Sequence, residues 1–447
     1  MFNYRSSHRA RRLRWQVIGL LWLAFVAGPR VSSSQALGDT IRLTLPQARA
    51  LAQRANPELL ATRVDTMIAR GVLRQAGIIR FNPTADLLAA RGGNGAETGV
   101  AQELELFGQR SARLSVGRAS YERASASVAN ATRLTLGEVD RAFYRLAFSS
   151  RRTALADEVL ALNERLQDIA QRQLSAGEIS RLDLNLVTVE RGRSRARALA
   201  ARRDEARIAA DFGRSLGVAP GTTIVAEVGE IPNAPAGDTS EASRSTVRPR
   251  PDHAVLSVDS LTIVALAHRP DLAEREAARR EASANVSLAR REALPNLIAR
   301  AAAEPRADGS GRVVRPGVGL TLPFLNRNQG TVQAQRAVTR QAELERAALI
   351  TRVRTEVATA VATYHSATLE VETLETTVLT PARQNRQLVE IAYREGKVGL
   401  PVLLLIRNQA IDAELEYWDA WLESREALAA LSEATGANLT MQTGGGQ

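Results

Sequence analysis

The sequence predicts a mainly α-helical protein with a small β part, built from one structural plan that occurs twice. Three observations predict this. The 447 residues are dominated by Ala and Leu and only 4% are aromatic, a composition that favours long helices over a compact mixed core. The segment from 108 to 175 has a helical pattern throughout and contains no proline. Short landmarks of the first half also recur in the second half in the same order, which indicates an internal repeat.

The first 36 residues have the pattern of a secretory signal peptide. The basic segment RSSHRARRLR precedes the short apolar segment WQVIGLLWLAFVAG, and Ser34-Gln35-Ala36 then offers a cleavage site. The alternative is an uncleaved membrane anchor. The sequence after residue 36 has no apolar run long enough for a transmembrane helix. We therefore expect an exported protein that can enter a membrane only through strands.

The net charge of +11 does not indicate nucleic-acid binding. Six arginines lie in the first 36 residues, which contain no acidic residue, and the remainder carries only +5. Most other arginines are interleaved with Asp and Glu at helical spacing, which is typical of a solvated helix face with ion pairs. Cysteine is absent, so disulfides, thiolate metal sites and a lipid-anchor cysteine are excluded.

The landmarks define a first repeat at 37–230 and a second at 257–440. A polar linker rich in Pro, Ser and Arg separates them at 231–256, and we expect a disordered tail at 441–447. The corresponding segments are ALAQRANPEL and ALAHRPDL, RFNPTADL and REALPNLIA, and LELFGQR and TLPFLNRNQG. Gly177 and Gly396, like Gly217 and Gly436, are 219 positions apart.

Each repeat is expected to contain a helix of about 25 residues, then a β-hairpin, then a very long helical region. The hairpins are predicted at about 84–106 and 294–322, where apolar and polar residues alternate around turns rich in Gly. The apolar members of the alternation are Val100, Leu104, Leu106, Val318, Leu320 and Leu322. Periodicity alone does not distinguish these hairpins from an ordinary soluble sheet.

The long helical region of the first repeat carries a heptad seam. Its members are Leu155, Val159, Leu162, Leu166 and Ile169, and Leu374, Val378 and Leu388 follow at the same offset. We expect a kink at Pro381, because proline removes one helical hydrogen bond. Both helical regions are interrupted by a glycine with polar neighbours, in the segments QRQLSAGEISRLDLNLV and IAYREGKVGLPVLLLIR.

From about Leu43 to Leu439 the chain resembles the TolC-like outer-membrane factor family, which serves tripartite efflux and type I secretion. The resemblance rests on the duplicated plan, the start NPEL, and the turns QRQLSAGEISRLDL and AYREGKVGLPVLLL. Within the family, NPEL, ELFGQR and RLDLNLVTVE are most similar to the heavy-metal, CzcC-like branch.

The resemblance implies a homotrimer whose strands form a 12-stranded outer-membrane β-barrel on a periplasmic α-helical tunnel. Four strands cannot close a barrel in lipid, whereas three copies supply an even number that can. The implied partners are outer-membrane lipid, a periplasmic adaptor (membrane fusion protein) and an inner-membrane RND-type pump or ABC transporter. The implied function is passive exit of heavy-metal cations; drug efflux and type I secretion remain open, as does a periplasmic coiled-coil adaptor or scaffold.

By the same resemblance each interrupted helix is a hairpin with its tip near 177 or 396, at the periplasmic entrance. The expected tip and adaptor contacts are Gly177, Glu178, Ser180, Arg181, Leu182, Gly396, Lys397, Gly399 and Leu400. Asp183 is a pore candidate, because a ring of three carboxylates favours cations, with Val402 and Leu405 on the apolar side of the gate. The alternative is that Asp183 caps a helix or pairs with Arg181.

The sequence motifs do not indicate an enzyme. The histidines are His8, His253, His268 and His365, without an HxxxH pair, and no P-loop or Ser–His–Asp pattern is present. We therefore expect no catalytic residue, no metal site, no cofactor and no use of ATP.

Overall fold

The computed structural model describes residues 40–89, 96–228, 257–306 and 310–437. The predicted signal peptide, linker and tail lie outside these ranges. The described chain is mainly helical with a small β part, as the sequence predicts.

The described residues of the first half form four helices and four strands. These are β1 (Thr40–Leu43), α1 (Leu45–Ala55), α2 (Pro57–Ala76), β2 (Thr84–Ala89), β3 (Ala96–Leu104), α3 (Gln109–Ser175), α4 (Arg181–Leu216) and β4 (Thr223–Ala226). α3 has 67 residues, which at 1.5 Å per residue gives a length of about 100 Å. A helix of this length is typical of an elongated molecule and exceeds what a single compact core requires.

The second half repeats the order of α1 to α4 and of the central hairpin. Its elements are α5 (Val258–His268), α6 (Pro270–Glu292), β5 (Leu297–Pro305), β6 (Arg312–Leu320), α7 (Gln329–Thr373), a π-helical turn (Leu374–Leu379), α8 (Thr380–Arg394) and α9 (Leu400–Thr435). The short helices α1 and α5 and the strands β1 and β4 are additions to the elements that the sequence predicts.

The four central strands form one antiparallel sheet in the order β2-β3-β5-β6. β3 and β5 join the two halves, with a register from Thr98 opposite Ala303 to Leu104 opposite Leu297. Leu106 and Leu322, expected within strands, lie beyond the ends of β3 and β6, because the chain turns there toward the long helices. A separate parallel pair, β1 with β4, ties the start of the first half to its end.

The sheet has one apolar and one polar face. The register places Ala85, Leu87, Val100, Leu104, Leu297, Val314, Val318 and Leu320 on one face, with Thr98, Gln102 and Arg312 as its polar members. The other face carries Asp86, Glu97, Glu103, Arg300, Glu304 and Arg315. Leu87 is 74% and Val318 75% exposed, so the apolar face is not the cover of a core within this chain.

The core lies between helices and consists of separate apolar clusters along the length of the molecule. One cluster joins α1, α3 and α4 around Phe143 and Phe212, and another joins α3, α9 and the π-helical turn around Trp418 and Trp421. None of the helices in the described ranges combines the length and apolar character that crossing a lipid bilayer requires.

The heptad seam is confirmed at Leu155 and Leu374, which are buried, and is wrong at its other end. Ile169 and Leu388 are largely exposed, and their neighbours Ala170 and Val389 are buried instead. At that end Ala170 and Val389 pack with residues of α4 and α9, so the contact between the two helical hairpins selects the buried positions.

The irregularity expected at Pro381 is a π-helical turn immediately before it. Proline has no N–H to donate to the preceding turn, and the N–H of Thr380 donates to the carbonyl of Glu375, five residues back. The long helix therefore continues through Pro381 after a local widening.

Candidate functional site

The two helix interruptions have the same geometry. α3 ends at Ser175 and α4 begins at Arg181, while α8 ends at Arg394 and α9 begins at Leu400. Gly177 (φ 74°) and Gly396 (φ 70°) adopt the left-handed conformation that costs glycine little. The next residue donates a backbone hydrogen bond of 2.9 Å to a carbonyl five residues earlier, Glu178 to Gln173 and Lys397 to Ala392. Each interruption is thus a tight connection between two long helices.

An apolar cluster joins the two hairpins beside their tips. Its buried members are Ala170, Val187, Val389, Leu400, Leu403 and Leu404. They come from all four helices, α3, α4, α8 and α9, so the two tips form one packed unit. Leu400, expected at the exposed tip, is buried in this cluster because it starts the apolar run that faces the first hairpin.

The other tip candidates are exposed, and half of them are polar. Gly177, Glu178, Ser180, Arg181, Leu182, Gly396, Lys397 and Gly399 all lie at the surface. Lys397 pairs with Glu395 at 2.6 Å. The tip therefore presents charged groups of both signs around its two glycines.

Asp183 forms a capping box with Ser180 at the start of α4. Its Oδ2 accepts hydrogen bonds from the Ser180 N–H at 3.1 Å and the Ser180 hydroxyl at 2.7 Å. In return the Asp183 N–H donates to Ser180 Oγ at 3.1 Å. The helix-cap alternative is therefore present in the structure, and it orients the carboxylate at the positive end of the helix dipole. At the second tip Gly399 occupies the cap position and makes no side-chain cap.

The charge of Asp183 also affects a tyrosine of the second hairpin, Tyr393 on α8. Burial and, after it, the negative charge of Asp183 raise the pKa of the Tyr393 phenol, on the last turn of α8. Tyr393 itself packs against the apolar cluster. Tyr393 is not among the residues predicted from the sequence, since no pattern along the chain shows that it lies beside a residue 210 positions earlier.

An exposed apolar strip runs from each tip along the helix that follows it. On α9 it contains Val402 and Leu405, and on α4 it contains Leu182, Leu186 and Val189. Leu186 and Leu405 are 219 positions apart, so the two strips are equivalent. Leu186 and Val189 were missed as candidates, although helical spacing from Leu182 could have found them.

Two charged side chains of α9, Arg407 and Glu414, are buried farther along the helix from the tip. Burial lowers the pKa of the Arg407 guanidinium, and the charge of Glu390 partly offsets this. Glu414 accepts from Arg151 at 3.3 Å and from Arg383 at 3.5 Å. Across the described ranges, no cluster of three or more His, Cys, Asp or Glu side chains could hold a metal ion.

Comparisons with known proteins point to one family. Residues 262–437 match the family model described as outer membrane efflux protein. The chain is 25% identical over 387 residues to the cobalt-zinc-cadmium resistance protein CzcC of Cupriavidus metallidurans, a match that covers 84% of this chain and 85% of that protein.

Solved structures share the fold. The outer-membrane channel OprN has a TM-score of 0.69 and 19% identity, with 88% of this chain and 90% of that chain covered. CusC has a TM-score of 0.67 and 18% identity, with 88% of this chain and 92% of that chain covered. The open state of the Neisseria gonorrhoeae MtrE channel has a TM-score of 0.66 and 17% identity, covering 88% and 89% of the two chains.

Proposed function

We propose that the chain is a member of the outer membrane efflux protein family, whose model matches residues 262–437, and that it is the outer-membrane exit channel of a tripartite efflux system. Three copies form a passive conduit from the periplasm to the exterior, and its proposed cargo is heavy-metal cations. A periplasmic adaptor and an inner-membrane RND-type pump supply the cargo and the energy.

The two-faced sheet is the observation that carries this proposal. Its apolar face is exposed, its opposite face is charged, and β2 and β6 are its free edges within the described chain. In lipid an unpaired edge leaves backbone groups unsatisfied at several kcal/mol each. Three sheets joined edge to edge give 12 strands, with the apolar face toward lipid and the charged face toward the lumen.

The long helices suit the periplasmic part of such a conduit. α3 reaches about 100 Å from the sheet to the tip at Gly177. The tips are packed together by the apolar cluster and present charged groups outward. This is the place where an adaptor would contact the channel and where the passage would be narrowest.

The proposed cargo rests on the relative CzcC and on the charge of the polar face of the sheet. CzcC is by its description a cobalt-zinc-cadmium resistance protein. The polar face of the sheet carries four acidic side chains against two arginines: Asp86, Glu97, Glu103, Glu304, Arg300 and Arg315. An excess of carboxylates lining the passage favours cations over anions.

Reconstitution tests the channel. The detergent-solubilised protein should have the native mass of a trimer, fractionate with the outer membrane and conduct ions in planar bilayers. A soluble monomer without conductance would support the coiled-coil scaffold instead. The exposed apolar face of the sheet argues against that scaffold, because such a face needs a lipid or protein cover.

A deletion strain tests the cargo. Loss of the chain should lower the tolerance of the cells to cobalt, zinc and cadmium. The cellular content of these metals should rise in parallel. Restoring the gene should reverse both effects. Unchanged metal tolerance together with increased sensitivity to drugs would reassign the channel to drug efflux, and loss of a secreted protein would reassign it to type I secretion.

A further inference from the structure

The connections between the long helices and the sheet lie at one end of the sheet. The two hairpins reverse at the other end, so β2 and β5 begin, and β3 and β6 end, beside the helices. Hydrogen bonds hold these connections together: Arg110 Nε donates to the Gly77 carbonyl at 2.8 Å, and Gln109 Nε2 donates to Asn296 Oδ1 at 3.1 Å. We call this level of the molecule the collar, and it comprises residues 77–83, 105–110, 289–296 and 321–328.

The collar exposes apolar side chains. Leu325 is 94% and Phe324 72% exposed. Leu106 and Leu322 lie two positions beyond members of the apolar face of the sheet, so they continue that face toward the helices. The exposed apolar side chains of the collar are Ile78, Ile79, Leu106, Phe107, Leu294, Leu322, Phe324 and Leu325. Apolar and aromatic groups at the end of lipid-facing strands are typical of the boundary between lipid and water.

The collar is also basic. Five arginines against two glutamates give it a net charge of +3 per chain. Both glutamates already have a cation: Glu105 pairs with Arg113 of α3, and Glu292 pairs with Arg80 at 3.1 Å. The arginines of the collar are Arg80, Arg110, Arg290, Arg291 and Arg327.

Four of these arginines have guanidinium charge to offer a ligand. Arg290 and Arg327 are exposed and form no ion pair with any residue that the structure describes. Arg110 and Arg291 are exposed too, and the bonds they make go to backbone carbonyls, that of Arg291 to Phe107 at 2.9 Å. A guanidinium with unused N–H groups can bind a phosphate through two parallel hydrogen bonds.

We propose that the collar binds anionic phospholipids of the periplasmic leaflet of the outer membrane. The inference rests on the proposed function, which places the sheet in lipid and the helices in the periplasm. The apolar side chains of the collar enter the acyl-chain region, while the arginines extend their charged ends to the phosphates. A zwitterionic lipid carries a cation beside its phosphate, so a basic collar selects an anionic lipid.

Fluorescence quenching by brominated lipids tests this preference in the reconstituted full chain. The chain has no cysteine, so Leu325→Cys carries a single fluorophore at the collar. The vesicles contain phosphatidylcholine and phosphatidylglycerol in equal amounts, and only one of the two lipids is brominated. Quenching should be severalfold stronger when phosphatidylglycerol carries the bromine, because arginines at the membrane surface attract anionic lipid. Molar salt should reduce this difference, because it screens exposed charges.

Two pairs of substitutions in the labelled chain separate the collar from charge in general. Arg290→Gln with Arg327→Gln should remove most of the difference between the two brominated lipids. Arg352→Gln with Arg354→Gln removes the same charge from an exposed part of α7 outside the collar and should leave the difference unchanged. Neither pair breaks an ion pair of the described chain, so both variants should fold.

A second label separates the inference from the proposed function. Val318→Cys places the fluorophore on the apolar face of the sheet, where residue 318 is 75% exposed. If this label is quenched but the label at residue 325 is not, or is quenched equally by both lipids, the collar inference is wrong and the channel proposal stands. Loss of the preference in the Arg352→Gln and Arg354→Gln variant would also overturn the inference. If neither label is quenched, the sheet is not in lipid and both proposals fail.

Discussion

Ser180 and Asp183 hold each other at the start of α4. The Ser180 hydroxyl donates to Asp183 Oδ2 at 2.7 Å, and Ser180 Oγ in turn accepts from the Asp183 N–H at 3.1 Å. The carboxylate therefore supports the helix within one chain, and in the proposed trimer its charge also lies beside the entrance. These two roles can be separated by substitution, because an asparagine keeps the acceptor oxygen without the charge.

Asp183→Asn should lower the preference of the channel for cations, because three negative charges are removed from the narrow entrance. The reversal potential across a planar bilayer with a salt gradient measures this preference. Ser180→Ala is the matched control: it costs about 1 kcal/mol at the helix start and leaves the charge in place. Unchanged reversal potential and unchanged block by multivalent ions in Asp183→Asn would refute the carboxylate ring.

Gly217→Ala should destabilise the protein far more than Gly177→Ala. Both glycines have positive φ, 73° and 74°, so either substitution costs about 1–2 kcal/mol in backbone strain. At Gly217 an added Cβ would lie 2.1 Å from the Ala55 carbonyl oxygen, whereas at Gly177 nothing lies within 4 Å. Urea midpoints of the two variants provide the measurement. Equal midpoints would show that the contact between α4 and α1 gives way easily.

Arg269→Met should destabilise the second half by about 3 kcal/mol, because the largely buried Asp271 loses its nearest cation. The Arg269 guanidinium is 4% exposed and donates to Asp271 and Glu356, each at 2.6 Å. Arg275→Met serves as the control, since its 2.7 Å pair with Glu345 is half exposed and worth less than about 1 kcal/mol. Thermal unfolding of both variants measures the difference, and similar losses would contradict this account.

The same cluster makes stability depend on acid pH. Burial tends to raise the pKa of Asp271, but hydrogen bonds from Arg269 and its charge outweigh burial and lower the pKa below the ordinary 3.8. The unfolded chain then binds the proton more readily, so the stabilisation is complete above the ordinary pKa and is lost as pH falls through the folded-state value. Asp271→Asn should show a flatter fall of unfolding free energy below about pH 4. An unaltered slope would exclude Asp271 as a contributor.

Val314→Arg should impair assembly in the outer membrane, and Val313→Arg should be tolerated. Val314 lies on the apolar face of β6, whereas Val313 lies on the charged face directly opposite Glu304. An arginine on the lipid face costs on the order of 2 kcal/mol within the bilayer, and one on the luminal face has a carboxylate beside it. The amount of trimer in outer-membrane fractions measures the effect. Equal amounts from both variants would show that the two faces are assigned wrongly.

Much of the fold follows from local patterns. The span of α3 follows from a proline-free helical pattern that begins after Gly108, and the two tips follow from a glycine with polar neighbours. The alternation at Val100 and Val318 gives the correct apolar face of the sheet. These features depend on residues close in sequence, and the sequence therefore contains the information needed to predict them.

Other features depend on residues far apart. The parallel pairing of β1 with β4 joins segments separated by two long helices. The burial of Ala170 and Val389 in place of Ile169 and Leu388 depends on the angle at which the hairpins meet. The influence of Asp183 on Tyr393 arises only when the two tips lie side by side. No pattern along the chain shows these relationships.

The sequence by itself determined the duplicated plan, the long helices, the hairpins and the two turns, because helical and strand periodicity and glycine conformation act within a few residues. Only the tertiary structure decided which faces remain open. The side chains of Val64, Met67 and Ile68 on α2 and the apolar side of the sheet are exposed because no element of the described chain packs over them. Apolar surface of that extent requires a cover, and its position depends on packing, which a sequence pattern does not contain.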